Sequence, residues 1–271
     1  MVKIITDSSS NFSQEEAAKL GIKVMPLTIN FGSEEFADGV DIDCDTFYNK
    51  MAEAKELPHT SQLTEEQIEN AVQEGLKECG EVIIMPIASA LSASFERCAA
   101  VAARHENVYA YDTKCTTVML KMLVLEALAN AEKTAAEIID ILDGFRSKIR
   151  LFAALDTLEN LRKGGRLSGA SAFLGSMLKI KPVITINLEG KVELISKQFG
   201  INKGVSYVAE TVETDNIDFS KPVYLIYTQN NRNAQSLKAK LNTEFSAEEN
   251  ICPVIGTHIG AGAAGIVYSV K

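Results

Sequence analysis

The chain has 271 residues, 46% hydrophobic and 23% charged, so it can bury a sizeable core and its length suggests about two domains. The formal net charge of -9 leaves no basic field for a phosphate backbone, which argues against nucleic-acid binding. The five cysteines are widely spaced and odd in number, which argues against a disulfide framework or a zinc site and fits a reducing compartment.

Neither the N-terminal residues nor the longest apolar run has the pattern of a signal peptide or a membrane span. Residues 1–5 are followed at once by polar residues, which is too soon for a signal peptide. The apolar run over residues 118–129 is interrupted by Lys121 and Glu126 and is shorter than the about twenty residues that span a bilayer. We therefore expect a cytoplasmic protein without stable membrane insertion.

The first half of the chain alternates apolar runs with helical patterns. Strands are predicted over residues 2–6, 23–31, 82–85 and 108–111. Capping boxes at Ser13, Thr64 and Thr134 open helices, Asp43 caps another, and residues 58–62 are predicted as a loop. Alternation of this kind predicts a parallel sheet covered by helices, in which ligands bind at the carboxyl ends of the strands.

Residues 87–94 follow one of these strands and precede a helical run over residues 95–103. Three serines lie in this segment: Ser89, Ser92 and Ser94. A helix N-terminus has unpaired N–H groups and a partial positive charge, which favour an anion. Serine is also a preferred N-cap residue, so an anion site and a simple cap are both open.

The second half has a different pattern. Strands are predicted over residues 151–155, 183–186, 191–196, 223–227 and 254–255, with a hairpin turn at Glu189-Gly190. Helices are predicted over residues 168–178, 204–213 and 234–241, and residues 163–166 are typical of a helix end. This pattern favours an α+β arrangement with a mixed sheet, so we predict two domains, 1–150 and 151–271.

Several motifs admit more than one interpretation. Residues 260–265 match G-x-G-x-x-G, but only six residues follow, so the glycines are interpreted as a turn rather than a dinucleotide site. Ser92, His258 and Asp7 could form a hydrolase triad, although no G-x-S-x-G elbow is present. Arg166 could stabilise a helix C-terminus or contact a phosphate or a partner. No His, Asp or Glu group has metal-ligand spacing.

Together, a set of short segments resembles the DegV family, the fatty-acid-binding proteins also called FakB. They occur in family order across nearly the whole chain. The segments are Thr6-Asp7-Ser8-Ser9, Thr60-Ser61-Gln62, residues 87–92, Asp156-Thr157-Leu158, residues 163–168, residues 175–182 and residues 258–263.

The resemblance implies a two-domain α/β protein that holds a long-chain fatty acid between its domains. Hydroxyls of Thr60 and Ser92 would bind the carboxylate with His258 nearby. From its own guanidinium chemistry, Arg166 is expected to contact a partner or a phosphate. Ser61, Ser89 and Gly260 would complete the binding site, with Ser89 also shaping the turn. A partner kinase subunit would phosphorylate the bound acid to an acyl-phosphate, so we expect a non-catalytic carrier with no metal and no cofactor beyond its ligand.

The chain also departs from the family pattern. The usual Gly-Thr-Tyr after the key serine is Ala93-Ser94-Phe95, the usual proline before Gly262 is Ala261, and the basic cluster after the hairpin is reduced to residues 197–200, which include Phe199. The serine- and glycine-rich segment after Asp112 is Thr113-Lys114-Cys115-Thr116-Thr117. Residues 118–128 and 170–177 could form tunnel walls or ordinary core. The leading alternative function is a serine hydrolase that acts on a lipid ester.

Overall fold

The computed structural model describes residues 1–167 and 180–271. In these residues the strands are β1 (Val2–Asp7), β2 (Lys23–Met25), β3 (Thr28–Phe31), β4 (Glu34–Ala37), β5 (His59–Ser61), β6 (Glu81–Met85), β7 (Val108–Ala110), β8 (Ile149–Ala154), β9 (Lys181–Ile186), β10 (Val192–Gln198), β11 (Tyr224–Tyr227), β12 (Ala247–Asn250) and β13 (Ala264–Ser269). The helices are α1 (Gln14–Leu20), α2 (Cys44–Glu53), α3 (Glu65–Glu78), α4 (Ser94–Ala102), α5 (Thr117–Ala129), α6 (Ala135–Arg146), α7 (Glu159–Lys163), α8 (Ile201–Glu213), α9 (Arg232–Lys238) and α10 (Pro253–Ile259).

The first half forms the predicted parallel sheet, in the order β2-β1-β6-β7. Its central strands are almost continuously apolar because helices cover both faces, as in β6, where Val82, Ile83 and Ile84 are fully buried. The capping boxes at Ser13, Thr64 and Thr134 are all present at the starts of α1, α3 and α6. Local sequence therefore predicted this sheet and these three helix starts.

The second half forms the predicted mixed sheet, in the order β10-β9-β8-β13-β11-β12. Its neighbouring strands are antiparallel except β11 and β12, which are parallel. The hairpin of β9 and β10 is confirmed, and α7 ends at Lys163 before the glycine pair, as expected. The fold class, a parallel-sheet region followed by a mixed-sheet region, is confirmed, whereas the domain division near residue 150 stays a prediction.

A small antiparallel sheet, β4-β3-β5, corrects two predictions. The predicted strand over residues 23–31 is interrupted at Pro26, which has no backbone N–H. The chain thus pairs with β1 before the proline and with β4 and β5 after it. Residues 59–61, predicted as part of a loop, form β5, because β3 supplies their pairing partner.

The prediction of a strand at residues 254–255 is wrong. These residues lie inside α10, whose first residue, Pro253, suits a helix start because its missing N–H would have no helical acceptor. A short apolar run does not distinguish a strand from a buried helix. The strand of this region is β13, which begins at Ala264 inside the glycine-rich run.

Helix α5 is apolar on all sides because it packs in the core, with Val118, Leu120, Leu123 and Val124 fully buried. In residues 1–167 and 180–271, no helix is long and apolar enough to cross a membrane. The predicted helix over residues 168–178, the wall at residues 170–177 and most of the motif at residues 175–182 lie outside the described residues.

Candidate ligand-binding site

A cavity of about 630 Å³ lies where β5, the segment after β6, α10 and the mixed sheet meet. Polar side chains line one part of it: Thr60, Ser61, Gln62, Ser92, Arg97, Arg166 and His258. Apolar side chains line much of the rest, among them Leu151, Leu155, Ile184, Ile186, Val254 and Ile255. The apolar wall therefore comes mainly from β8, β9 and α10. Residues 118–128, predicted as a possible wall, pack in the core instead.

The polar part is centred on a contact between β5 and α10. Thr60 Oγ1 lies 2.9 Å from His258 Nε2, within hydrogen-bonding distance. Burial, with the positive charge of Arg166 nearby, lowers the pKa of His258 to about 4, so the imidazole is neutral at pH 7. With its proton on Nε2, His258 donates to Thr60, whose own hydroxyl proton is then free for a ligand oxygen.

The other edge of the imidazole is packed against Gly164. A Cβ atom at this position would lie 2.6 Å from His258 Nδ1, so only glycine fits without displacing the ring. Nδ1 is buried and has no hydrogen-bond partner among the described residues. The glycine pair that ends α7 thus also holds the ring against Thr60.

Ser92 lines the same cavity from the segment that follows β6. Its Oγ lies 3.0 Å from Ser94 Oγ and accepts a hydrogen bond from Ser94 N at 3.2 Å. The start of the segment is held by Asp7 at the end of β1, whose Oδ2 accepts from Ile87 N at 2.9 Å. Burial raises the pKa of Asp7, although hydrogen bonds from Ser9 and Ile87 oppose the shift. Asp7 thus positions the serine segment.

Ser89 is bonded through both its hydroxyl and its N–H to one carboxylate, that of Asp112. Its Oγ donates to Asp112 Oδ2 at 2.7 Å, and its N–H donates to Oδ1 of the same carboxylate at 3.1 Å. Ser89 therefore shapes the turn, and it is absent from the described cavity lining. Ser61 does line the cavity but is exposed, and its hydroxyl accepts from Asn30 Nδ2 at 3.1 Å.

Gly260 supports the site from the C-terminal end of α10 and does not line the described cavity. It has φ 75° and ψ -179°, which glycine adopts readily, and a Cβ there would lie 3.3 Å from Asn160 Oδ1. Asn160 in turn donates through Nδ2 to Thr257 O at 3.0 Å. Gly260 therefore permits the close packing of α7 on α10 next to His258.

Two arginines line the polar part of the cavity. Arg166 donates from Nε to Leu91 O at 3.1 Å and also to Gly164 O, so it joins the end of α7 to the residue before Ser92. Arg97 donates to Leu63 O at 2.8 Å. In the amide orientation of Gln62 that satisfies its neighbours, its side-chain oxygen accepts from Arg97 at 2.7 Å.

The full length of the chain, residues 1–271, matches the family model described as "Uncharacterised protein, DegV family". The chain belongs to the DegV family. A DegV domain-containing protein of Caldanaerobacter subterraneus subsp. tengcongensis is 31% identical over 100% of this chain and 99% of its own length.

Solved DegV structures share the fold over nearly the whole chain. One is described as "Fatty Acid Binding of a DegV family Protein from Thermus thermophilus"; it is 27% identical, covers 99% of both chains and has a TM-score of 0.89. Another is described as "Crystal Structure of DegV, a fatty acid binding protein from Bacillus subtilis"; it is 28% identical, covers 100% of this chain and 99% of its own, and has a TM-score of 0.87.

In this DegV family member the hydrolase triad is not assembled. His258 pairs with Thr60 rather than Ser92, and Ser92 pairs with Ser94. Asp7 is bonded to Ser9 and Ile87, so it does not orient the imidazole. A serine nucleophile needs a base within hydrogen-bond reach and a group that orients that base. Neither contact is present among these described residues.

Sequence reasoning missed several polar residues that line the cavity of this DegV chain: Gln62, Thr64, Arg97, Thr116 and Thr117. Arg97 lies one helical turn after Ser94, a spacing that places both on one side of α4 and could have been noticed. Thr116 and Thr117 line the cavity at the start of α5, although they stood out only as a departure from the family pattern. Nothing in the local sequence indicated which of these side chains reaches the cavity.

Proposed function

We propose that this protein binds a long-chain fatty acid, with the carboxylate at Thr60 and Ser92 and the acyl chain along the apolar wall. The observation that carries the proposal is one cavity of about 630 Å³ that joins hydroxyl groups to an extended apolar lining. The fatty-acid-binding descriptions of the two DegV relatives from Thermus thermophilus and Bacillus subtilis support it.

The energetics suit an acyl chain. Each buried methylene contributes roughly 0.8 kcal/mol, so a sixteen-carbon tail would contribute on the order of 10 kcal/mol before ordering costs. Hydrogen bonds from hydroxyls to the carboxylate would add about 1.5–3 kcal/mol each. The tail would therefore provide most of the affinity, and the hydroxyls would fix the orientation of the head group.

The chemistry of the polar part favours presentation of the carboxylate over catalysis by this chain. His258 is neutral at pH 7 and bonded to Thr60, and Arg97 and Arg166 donate to backbone carbonyl oxygens, so the carboxylate would be held by hydroxyl donors. A carboxylate held in this way keeps more nucleophilic character than one in a bidentate arginine pair. We propose that a partner fatty-acid kinase subunit phosphorylates it to an acyl-phosphate, with Arg166 as the contact to the partner or its phosphate.

Both predicted domains contribute to the proposed site, and the second contributes more of its lining. Thr60 and Ser92 lie in residues 1–150, while His258 and Arg166 come from residues 151–271 together with most of the apolar wall. The head group would therefore contact both parts. Five free cysteines fit the cytoplasm as the place of this function.

Solvent extraction and mass spectrometry of the purified protein test the binding step. The expected result is near-stoichiometric long-chain fatty acid in the extract. Protein that carries no fatty acid and takes up none, but is labelled at Ser92 by a fluorophosphonate, would support the hydrolase instead. Release of a different apolar acid or an isoprenoid would also contradict the proposal.

The head-group assignment is tested with the double variant Thr60→Ala/Ser92→Ala and a labelled fatty acid. Loss of two hydrogen bonds to a carboxylate should weaken binding by roughly two to four orders of magnitude. Ser89→Ala is the matched control, because Ser89 is bonded to Asp112, and its affinity should equal that of the wild type. Unchanged affinity in the double variant would contradict the assignment.

The kinase step is tested separately by reconstitution with a fatty-acid kinase subunit and a nucleoside triphosphate. Acyl-phosphate can be trapped with hydroxylamine as the hydroxamate. Hydroxamate should form with the wild type and decrease with Arg166→Ala. Stable binding of fatty acid without any hydroxamate would contradict presentation to the kinase and leave the binding function intact.

A further inference from the structure

Two buried hydroxyl groups on the cavity wall have no hydrogen-bond partner among the described residues. They belong to Thr116 and Thr117, which are 6% and 4% exposed and which both line the cavity. Buried hydroxyls are normally paired, because an unpaired one is destabilising. The two side chains therefore form a polar patch that lacks a partner in the described part of the chain.

Other threonines of this chain make the hydrogen bonds that the Thr116 hydroxyl lacks. Thr113, three residues earlier, donates to Pro86 O at 2.7 Å. Thr64 and Thr134 are the N-cap residues of α3 and α6, and their side chains accept from the N3 backbone N–H. Thr116 occupies the same N-cap position in α5 but makes no such bond within the described structure. Thr116 instead lines the cavity, and its hydroxyl stays unpaired in the described structure.

The start of α5 adds hydrogen-bond donors to the patch. The first N–H groups of a helix have no intrahelical acceptor, and a helix N-terminus has a partial positive charge. The 13-residue α5 has no side-chain cap among the described residues. Thr117 has φ 48°, an unfavourable conformation for a β-branched residue. This end of α5 therefore favours a ligand atom that accepts hydrogen bonds.

The patch comes from a different element, α5, than the contact between Thr60 of β5 and His258 of α10. Cys115 O accepts from Ala88 N at 2.9 Å, which joins the start of α5 to the serine segment. Helix α5 packs against β8, and β8 contributes Leu151 and Ala153 to the cavity. The two threonines thus share the cavity with apolar side chains of β8.

We propose that Thr116 and Thr117 form a second polar subsite that binds an oxygen atom on the acyl chain itself. The preferred ligand is a long-chain fatty acid with a hydroxyl or keto group away from its carboxylate. This inference rests on the proposed function, which assigns the carboxylate to Thr60 and Ser92. A chain hydroxyl can accept from one threonine and donate to the other, whereas methylene groups leave both unpaired.

The test compares octadecanoic acid with hydroxyoctadecanoic acids that carry the hydroxyl near the carboxylate, at mid-chain or near the methyl end. Affinities are measured on delipidated protein by competition with a fluorescent fatty acid. Thr116→Val/Thr117→Val keeps the side-chain shape without the hydroxyls, and Thr116→Ser/Thr117→Ser keeps the hydroxyls. Thermal unfolding of both variants checks that each is folded.

The wild type should bind at least one hydroxy acid about tenfold more tightly than octadecanoic acid. The valine pair should lose this preference while binding octadecanoic acid at least as well as the wild type, and the serine pair should keep the preference. A wild type that prefers no hydroxy acid overturns the subsite. An equal loss for every acid in the valine pair also overturns it, because the threonines would then contact the carboxylate. A wild type that binds none of the acids contradicts the proposed function itself.

Discussion

The imidazole Nε2 of His258 lies 2.9 Å from the hydroxyl of Thr60, although 198 residues separate the two in the chain. One group comes from β5 in the small antiparallel sheet and the other from α10 next to the mixed sheet. Burial of the ring lowers the pKa of His258 to about 4, so the pair is uncharged at pH 7. The contact between Thr60 and His258 is therefore a neutral pair, assembled only by the tertiary fold, in a part of the cavity that Arg97 and Arg166 also line.

Gly164→Ala should separate Thr60 from His258 although neither of these two residues is mutated. The new Cβ would lie 2.6 Å from His258 Nδ1, so the ring must move away from Thr60. Fatty-acid affinity should decrease roughly tenfold, as for loss of one hydrogen bond to a charged group. Gly144→Ala is the control, since nothing lies within 4 Å of its added Cβ, and it should bind normally. Equal affinity in both variants would show that the ring position does not matter.

His258 should make the stability of the protein dependent on acidic pH. Its pKa is about 4 in the folded protein, below the ordinary value of 6.5, because burial disfavours the charged ring. The unfolded chain therefore binds more protons between these values, and the free energy of unfolding falls as the pH falls from 6.5 towards 4, by on the order of 3 kcal/mol. Urea unfolding across this range should show a smaller decrease for His258→Asn. The same slope in both proteins would contradict the prediction.

Asp38 should give stability the opposite pH dependence, a decrease as the pH rises. It is buried, and burial raises its pKa to about 7, although the Ser8 hydroxyl and the Val254 N–H nearby oppose the shift. The unfolded chain, with a carboxyl pKa of 3.8, loses its proton first, so this group reduces stability as the pH rises from about 4 to about 7. Asp38→Asn should therefore gain free energy of unfolding relative to the wild type over this range. A difference that does not change with pH would refute the assignment.

Lys121 should be essential for stability rather than for binding. It is buried in α5, and its Nζ lies 3.0 Å from Glu16 and 2.8 Å from Glu249, which joins α1 to β12. Lys121→Met leaves the Glu249 carboxylate without its cation, with only Asn11 Nδ2 still donating to it, and should cost roughly 3 kcal/mol of unfolding free energy in urea titrations. Lys19→Met, which removes an exposed ion pair to Glu15, should cost under about 1 kcal/mol. Adding Glu249→Gln to Lys121→Met should recover part of the loss.

The sequence by itself determined the features that depend on neighbouring residues. The side chains at Ser13, Thr64 and Thr134 cap the helices that follow them, because a cap needs only residues three apart. The alternation of buried strands with helices predicted the parallel sheet. The turn residues Glu189-Gly190 predicted the hairpin of β9 and β10. Family order along the chain supplied Thr60, Ser92 and His258 as candidates.

Only the tertiary structure decided which side chains reach the cavity. Ser89 and Ser92 are equivalent in local sequence, yet Asp112 binds the first and the cavity receives the second. Residues 254–255 form a helix rather than a strand, and the apolar residues 118–128 pack in the core. Thr116 and Thr117 reach the cavity at the very start of that same helix. Such placements depend on contacts between residues far apart in sequence, and no local pattern records them.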